Sequence, residues 1–204
     1  MTKNICFLSI TLLFLVSCNS KYKYNIEKSE HGLTIHQDSL NINVEIIDEA
    51  IIHVNKILNT STPSEIPDYV TVLEPQKVDW KLEESSEKIT ISTKLVKVFV
   101  NSDGTITYET KDGKNLLSET NQHTFINSEE AGKEHHVSQG FHAGDEGLYG
   151  LGQFQSGIMN WKNVPIRLQQ YNQEIAIPFL VSTKGMVFIG IIIVLLILII
   201  LKMR

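Results

Sequence analysis

Glycine, amide and aromatic side chains concentrate in two short stretches, Gly147-Leu148-Tyr149-Gly150-Leu151-Gly152-Gln153 and Gln169-Gln170-Tyr171-Asn172-Gln173. Planar rings beside amides suit a sugar-binding surface, because a ring covers the apolar face of a pyranose while an amide both donates to and accepts from hydroxyls. Such a surface would draw on Gln153, Asn160, Trp161, Gln170 and Asn172. The same texture suits tight loops packed by aromatics equally well. A phosphate cradle is a poorer reading, since the glycine order is reversed from G-x-G-x-x-G and no helix signal follows.

Other reactive side chains give little. Asp145-Glu146 is the one acidic pair near the glycine-rich stretch. Neighbours on a strand point to opposite faces, so the pair reads as a solvated loop. His135-His136 falls short of the three or about four ligands that a zinc site needs, and reads as exposed loop histidines. Cys6 and Cys18 both belong to the amino-terminal segment, which leaves the body without a thiol for a disulfide, a zinc ribbon or a nucleophile. No Ser-His-Asp constellation can be argued from spacing. No catalytic residue, metal or cofactor is assigned.

The elements that must position these residues are strands. Leu40, Ile42, Val44 and Ile46 alternate with Asn41, Asn43 and Glu45, and a second run, Ile51 to Ile57, follows an acidic turn, so the two read as a hairpin. Ser61 to Pro67 is a loop, and short strands fit Tyr69 to Leu73, Val78 to Leu82, Lys88 to Ser92 and Leu95 to Val100. Asp103-Gly104 and Asp112-Gly113 then mark tight hairpin turns in which both central residues take positive φ. No helix with an apolar stripe appears in the body, so the expectation is an all-β antiparallel sandwich. The net charge of -5 provides no basic stripe for phosphates, which argues against a nucleic-acid partner.

The stretch Glu146 to Gly185, EGLYGLGQFQSGIMNWKNVPIRLQQYNQEIAIPFLVSTKG, resembles the end of the amino-terminal sandwich of glycoside hydrolase family 31, the α-glucosidases and α-xylosidases. Its Gly-Leu-Gly-Gln and Pro-Phe-x-x-Ser segments carry the similarity, together with Val44 to Asn55 and Trp80 to Leu117 further back. The resemblance implies a galactose-mutarotase-like sandwich over 32–185, a loop of which borders the sugar pocket of a following barrel, and an α-linked oligosaccharide as ligand. Retaining glycosidases need two carboxyls about 5 Å apart. The family keeps both, as aspartates, on barrel strands, so the resemblance implies a chain that stops before its catalytic barrel, lacks its natural packing partner and is inactive alone. An independent, membrane-tethered sandwich that binds glycan or protein is the alternative.

The two ends are unlike the body. Lys3 and the apolar run Ile5 to Val16 have the layout of a secretory signal over residues 1–18. Leu15-Val16-Ser17-Cys18 resembles a bacterial lipobox, with Cys18 as the acylated residue, residues 19–31 as a tether and the cell envelope, at an outer membrane where one exists, as the destination. From Met186 to Leu201 every residue but Gly190 is apolar. This tail, 186–204, reads either as a short membrane-spanning helix flanked by basic residues or as translation from a shifted frame. For the second reading, codons chosen for Gly185 onward spell Tyr-Gly-Ile-Tyr-Trp-Asp-Asn-Tyr-Ser from the third base, close to the strand with which the family continues.

Overall fold

The computed structural model describes residues 24–59, 72–126, 136–142, 144–190 and 196–198. Every regular element among them is a strand, and every strand pairing is antiparallel. β1 (Asn25–Ser29), β2 (Gly32–His36), β3 (Leu40–Asp48) and β4 (Ile51–Leu58) form a four-stranded meander. β5 (Lys81–Glu84), β6 (Lys88–Ser92), β7 (Val96–Asn101), β8 (Ile106–Thr110), β9 (Asn115–Ile126) and β10 (His136–Phe141) form a six-stranded one.

The period of two along β3 sends Leu40, Ile42, Val44 and Ile46 to one buried face, where they meet Ile89, Ile91, Val98, Val100 and Ile106 of the larger sheet. Two sheets thus close on one core, which is the expected sandwich. Each such side chain contributes roughly 1.5–3 kcal/mol by leaving water. One ion pair shares this interior. Lys56 of β4 reaches across to Glu119 of β9 at 2.5 Å, and the same carboxylate oxygen accepts the Ile106 N–H at 2.8 Å. Burial, and then the charge of Glu119, hold the neighbouring Tyr108 hydroxyl well above the usual phenol range.

Several expectations change. Residues 24–31 of the expected tether belong to the fold, because Tyr24 is buried and β1 pairs with β2. β1 is a polar edge strand with Ile26 as its one strongly apolar side chain, so its sequence shows no alternation. Val78 and Trp80 pack on the core without joining a strand. Pairing starts at Lys81↔Ser92 because β6 ends there in a turn, which leaves Trp80 no ladder partner; its indole N–H donates instead to the Glu30 carbonyl at 3.1 Å. Of Tyr69 to Leu73, only Val72 and Leu73 are described, and neither is in a strand.

The Asp-Gly turns are hairpin turns of a different type. Only the glycines take positive φ, 80° at Gly104 and 85° at Gly113. Each hairpin therefore closes through a turn with ordinary φ at the aspartate, followed by a left-handed glycine bulge.

The apolar tail is strand where it is described, and the expected helix is not found there. β14 (Met186–Ile189) returns along β13 (Ile175–Ser182) after a tight turn at Gly185, where φ is 86°. β13 also pairs with β11 (Leu148–Gln153), and β12 (Ile166–Leu168) pairs with β15 (Leu196–Leu198). The free edge of β13 offers Val187 and Ile189 a ladder that suits β-branched side chains. No helix among the described residues is long and apolar enough to cross a membrane. The signal segment 1–18, with Cys18, lies outside the described residues.

Candidate functional site

The glycine-rich stretch is β11, and its glycines serve close backbone approach to β13. Pairing runs from Gly150↔Leu180 to Gly152↔Ala176, and the irregularity between them lies opposite Pro178, which has no N–H for the ladder. A Cβ on Gly150 would stand 2.5 Å from the Phe179 carbonyl oxygen, and one on Gly152 would stand 1.9 Å from that of Ile175. Leu151 between them has φ 66°, a costly conformation for leucine, and its side chain is buried in a second, smaller core with Leu148, Trp161, Ile166, Leu168 and Leu180. Burial of a whole leucine side chain offsets that strain.

Three of the sequence-predicted site residues lie in or beside this local structure, and Trp161 and Asn160 hold it together. Trp161 is 5% exposed, stacks edge-on against Phe154 and donates its indole N–H to the Gly150 carbonyl at 3.1 Å. Asn160 accepts the N–H groups of Leu148 and Lys162 at 3.0 and 3.1 Å. Gln153 is exposed at the end of β11, opposite Ile175.

The other two come together. Beyond β12, Tyr171 and Glu174 exchange backbone hydrogen bonds of 3.3 Å around the tip Asn172-Gln173. Gln170 accepts the Ala176 N–H at 3.2 Å, and the Tyr171 hydroxyl donates to Gln169 Oε1 at 2.6 Å, which holds the ring beside the turn. Gln155, Gln170, Tyr171, Asn172, Gln173 and Glu174 line a cleft of about 590 Å³. Its wall is amide and hydroxyl, with one carboxylate and one half-exposed aromatic ring. Sequence reasoning named Gln170 and Asn172 but omitted Gln155 and Glu174. Gln155 lies two residues beyond the end of β11.

Asp145 and Glu146 do not share a site. The Asp145 side chain is 96% exposed, with Lys162 Nζ at 4.0 Å, whereas that of Glu146 is buried with Lys184 Nζ at 3.5 Å. The solvated-loop reading therefore fails for Glu146, whose charge leaves water because Lys184 of the β13–β14 turn accompanies it. His135 lies outside the described residues, and among those described no group of three or more His, Cys, Asp or Glu is placed to hold a metal ion.

Residues 41–193 match the family model of the glycosyl hydrolase 31 N-terminal galactose mutarotase-like domain. The chain belongs to this family. The match continues past Gly185 through β14, in keeping with that strand's place in the sheet. A glycoside hydrolase family 31 α-xylosidase from Xanthomonas citri is similar at 27% identity and a TM-score of 0.62, over 76% of this chain and 18% of that one. An α-xylosidase of the same family from a soil metagenome, solved with xylose, has 19% identity and a TM-score of 0.67, over 77% and 26%. A dextranase of the family from Flavobacterium johnsoniae, solved with glucose, has 17% identity and a TM-score of 0.52, over 78% and 21%. The domain thus spans about a fifth to a quarter of the length of these enzymes, and the two below 25% identity speak for the fold alone.

Proposed function

We propose that this domain is the non-catalytic sandwich of an α-glycosidase, which seats the catalytic part of the polypeptide and lends an amide-lined edge to an α-linked oligosaccharide. The open face of the β11, β13 and β14 sheet carries this reading. An antiparallel strand with one wet face alternates apolar with polar, whereas one buried on both faces reads as a continuous apolar run. β13, IAIPFLVS, is of the second kind. Its Ala176, Leu180 and Ser182 turn inward, while Ile175, Ile177, Phe179 and Val181 remain exposed in register with exposed Tyr149, Val187 and Ile189. A patch of that kind marks a surface made to be covered. Because the chain leaves this sheet through β14, the polypeptide that follows is the partner within reach.

Inactivity of the domain alone is supported by the separation of Asp145 from Glu146, since double displacement needs two carboxyls facing one substrate about 5 Å apart. The cleft at Tyr171 and Asn172 has donors, acceptors and a ring suited to sugar hydroxyls and a pyranose face. The lipobox-like sequence ending at Cys18 supports anchoring at the cell envelope, and radiolabelled palmitate should enter the wild-type chain but not Cys18→Ser.

Incubation of the chain with aryl α-xyloside and aryl α-glucoside should release no phenol, and turnover would refute a non-catalytic role. Saturation-transfer NMR with α-linked gluco- and xylo-oligosaccharides should show contact that Tyr171→Ala and Asn172→Ala weaken; unchanged spectra from both variants would remove the cleft.

A further inference from the structure

Two Asp-Gly steps occupy equivalent turns, Asp103-Gly104 between β7 and β8 and Asp112-Gly113 between β8 and β9. Their backbones match. Gly104 N–H donates to the Asn101 carbonyl and Gly113 N–H to that of Thr110, both at 2.9 Å, and each hairpin closes with a further 2.9 Å bond, Asn101 N–H to Thr105 and Thr110 N–H to Lys114. The side chains do not match. Asp103 Oδ1 accepts the Thr105 N–H at 3.0 Å and the Thr105 hydroxyl at 2.7 Å. Gly104 is buried, with Gln37 Oε1 2.9 Å from the place of a Cβ. In the second turn the equivalent donor, Lys114 N–H, is taken by Thr110 Oγ1 at 3.1 Å, and none of the described residues engages the Asp112 carboxyl. Residues 111–113 are exposed, and nothing stands within 4 Å of the place of a Cβ on Gly113.

We propose that Asp112 is a site of spontaneous aspartyl isomerisation and that Asp103, in the same turn, is protected from it. The Gly113 nitrogen attacks Cγ of the protonated Asp112 carboxyl. A C–N bond forms, the C–OH bond breaks, and water leaves carrying the amide proton, which gives a cyclic succinimide. Water then opens the ring at one carbonyl or the other and yields aspartate or isoaspartate; no oxidant, reductant or cofactor takes part. Attack requires the carboxyl to swing over the following nitrogen and the glycine amide to reach solvent. Both glycine amides keep the same turn hydrogen bond, but that of Gly113 lies at an exposed position beside an unclamped Asp112 carboxyl, whereas the Thr105 clamp holds the Asp103 carboxyl and the Gln37 cover shields Gly104. The product inserts a methylene into the backbone beside Lys114, whose Nζ donates to the Lys184 carbonyl at 3.0 Å, so the modification loosens the strap between the six-stranded sheet and the β13–β14 turn.

The test is prolonged incubation of the full chain at neutral pH, native and in urea, followed by digestion, separation of isomeric peptides and methyl transfer by an isoaspartyl-specific carboxyl methyltransferase. Native isomerisation should be more than about ten-fold faster at Asp112 than at Asp103, and urea should bring the two rates together as local protection is lost. Comparable native rates, a faster Asp103 or no isoaspartate at Asp112 would overturn the proposal. Thr105→Val should raise the rate at Asp103 and leave that at Asp112 unchanged; an unmoved Asp103 overturns the protective role of the clamp. Asp112→Glu, which disfavours the ring, should remove the signal at that position.

Discussion

The sandwich core between the four- and six-stranded sheets and the smaller sheet of β11, β13 and β14 are built from the same side chains and reach opposite ends. Ile42 of β3 is 0% exposed, whereas Ile177 of β13 is 48% exposed. The first lies between two sheets that cover each other. The second belongs to a sheet whose inner face covers Trp161 and Leu168 and whose outer face none of the described residues covers. Apolar composition therefore does not mark the core of this chain; the presence of a facing layer does. The larger region covers its own apolar faces, while the smaller one leaves Ile175, Ile177, Phe179 and Val181 exposed, as the proposed interface requires.

The sharpest way to break the larger region is to remove the cation that spans it. Lys56→Met should lower stability by about 3–5 kcal/mol, because the buried Glu119 carboxylate would lose its lysine while still accepting the Ile106 N–H. Adding Glu119→Gln should recover much of the loss, as the amide oxygen still serves that N–H without a charge. Urea unfolding midpoints with unchanged m-values test both. Ile42→Ala should cost about 2–5 kcal/mol, since it leaves a cavity that neither sheet can collapse to fill.

Much of the larger region is legible in the sequence, because alternation is the imprint of one covered face. Leu40 to Ile46 display it, and the turns at Gly104 and Gly113 appear as Asp-Gly. Their type does not, since the hydrogen bonds that close the strands decide whether the aspartate needs positive φ. β1 is hidden for a simpler reason: an edge strand with Ile26 as its one strongly apolar contact has no pattern to show. The smaller region misleads in the other direction. A run such as MVFI suits a helix or a doubly covered strand, and only Gly185 before it and the branched Val187 and Ile189 within it favour the strand. In the cleft, glutamine and asparagine at 170 and 172 were readable as a polar surface. Trp161 was not readable as core, because residue type alone does not say whether an indole N–H has found a carbonyl.

A smaller effect should appear at the clamp where the turn of the four-stranded sheet meets that of the six-stranded one. Glu49 accepts the Lys94 backbone N–H at 2.9 Å, which lowers its carboxyl from the ordinary value; partial burial opposes this, and the Lys94 ammonium at 3.1 Å adds to it. A carboxyl lowered in the folded state contributes stability above its unfolded pKa and loses it as pH falls through the folded one. Melting followed from neutral to acid pH should show this loss in the wild type and a flatter profile in Glu49→Gln. Identical profiles would mean that the clamp does not couple folding to protons.

The smallest effect tests the comparison most directly. Ile177→Ala makes the same chemical change as Ile42→Ala, and in this chain it should shift stability by no more than about 0.5 kcal/mol, because a side chain that is already half in water has little burial to lose. A loss near that of Ile42→Ala would show that the outer face is covered, by a second copy or by chain beyond β14, and sedimentation distinguishes the two. In a longer polypeptide that includes a catalytic domain, the same substitution should become costly, as the face is then interior. The ratio of the two losses for one substitution in two contexts thus measures how much of this sheet belongs to the domain and how much to its partner.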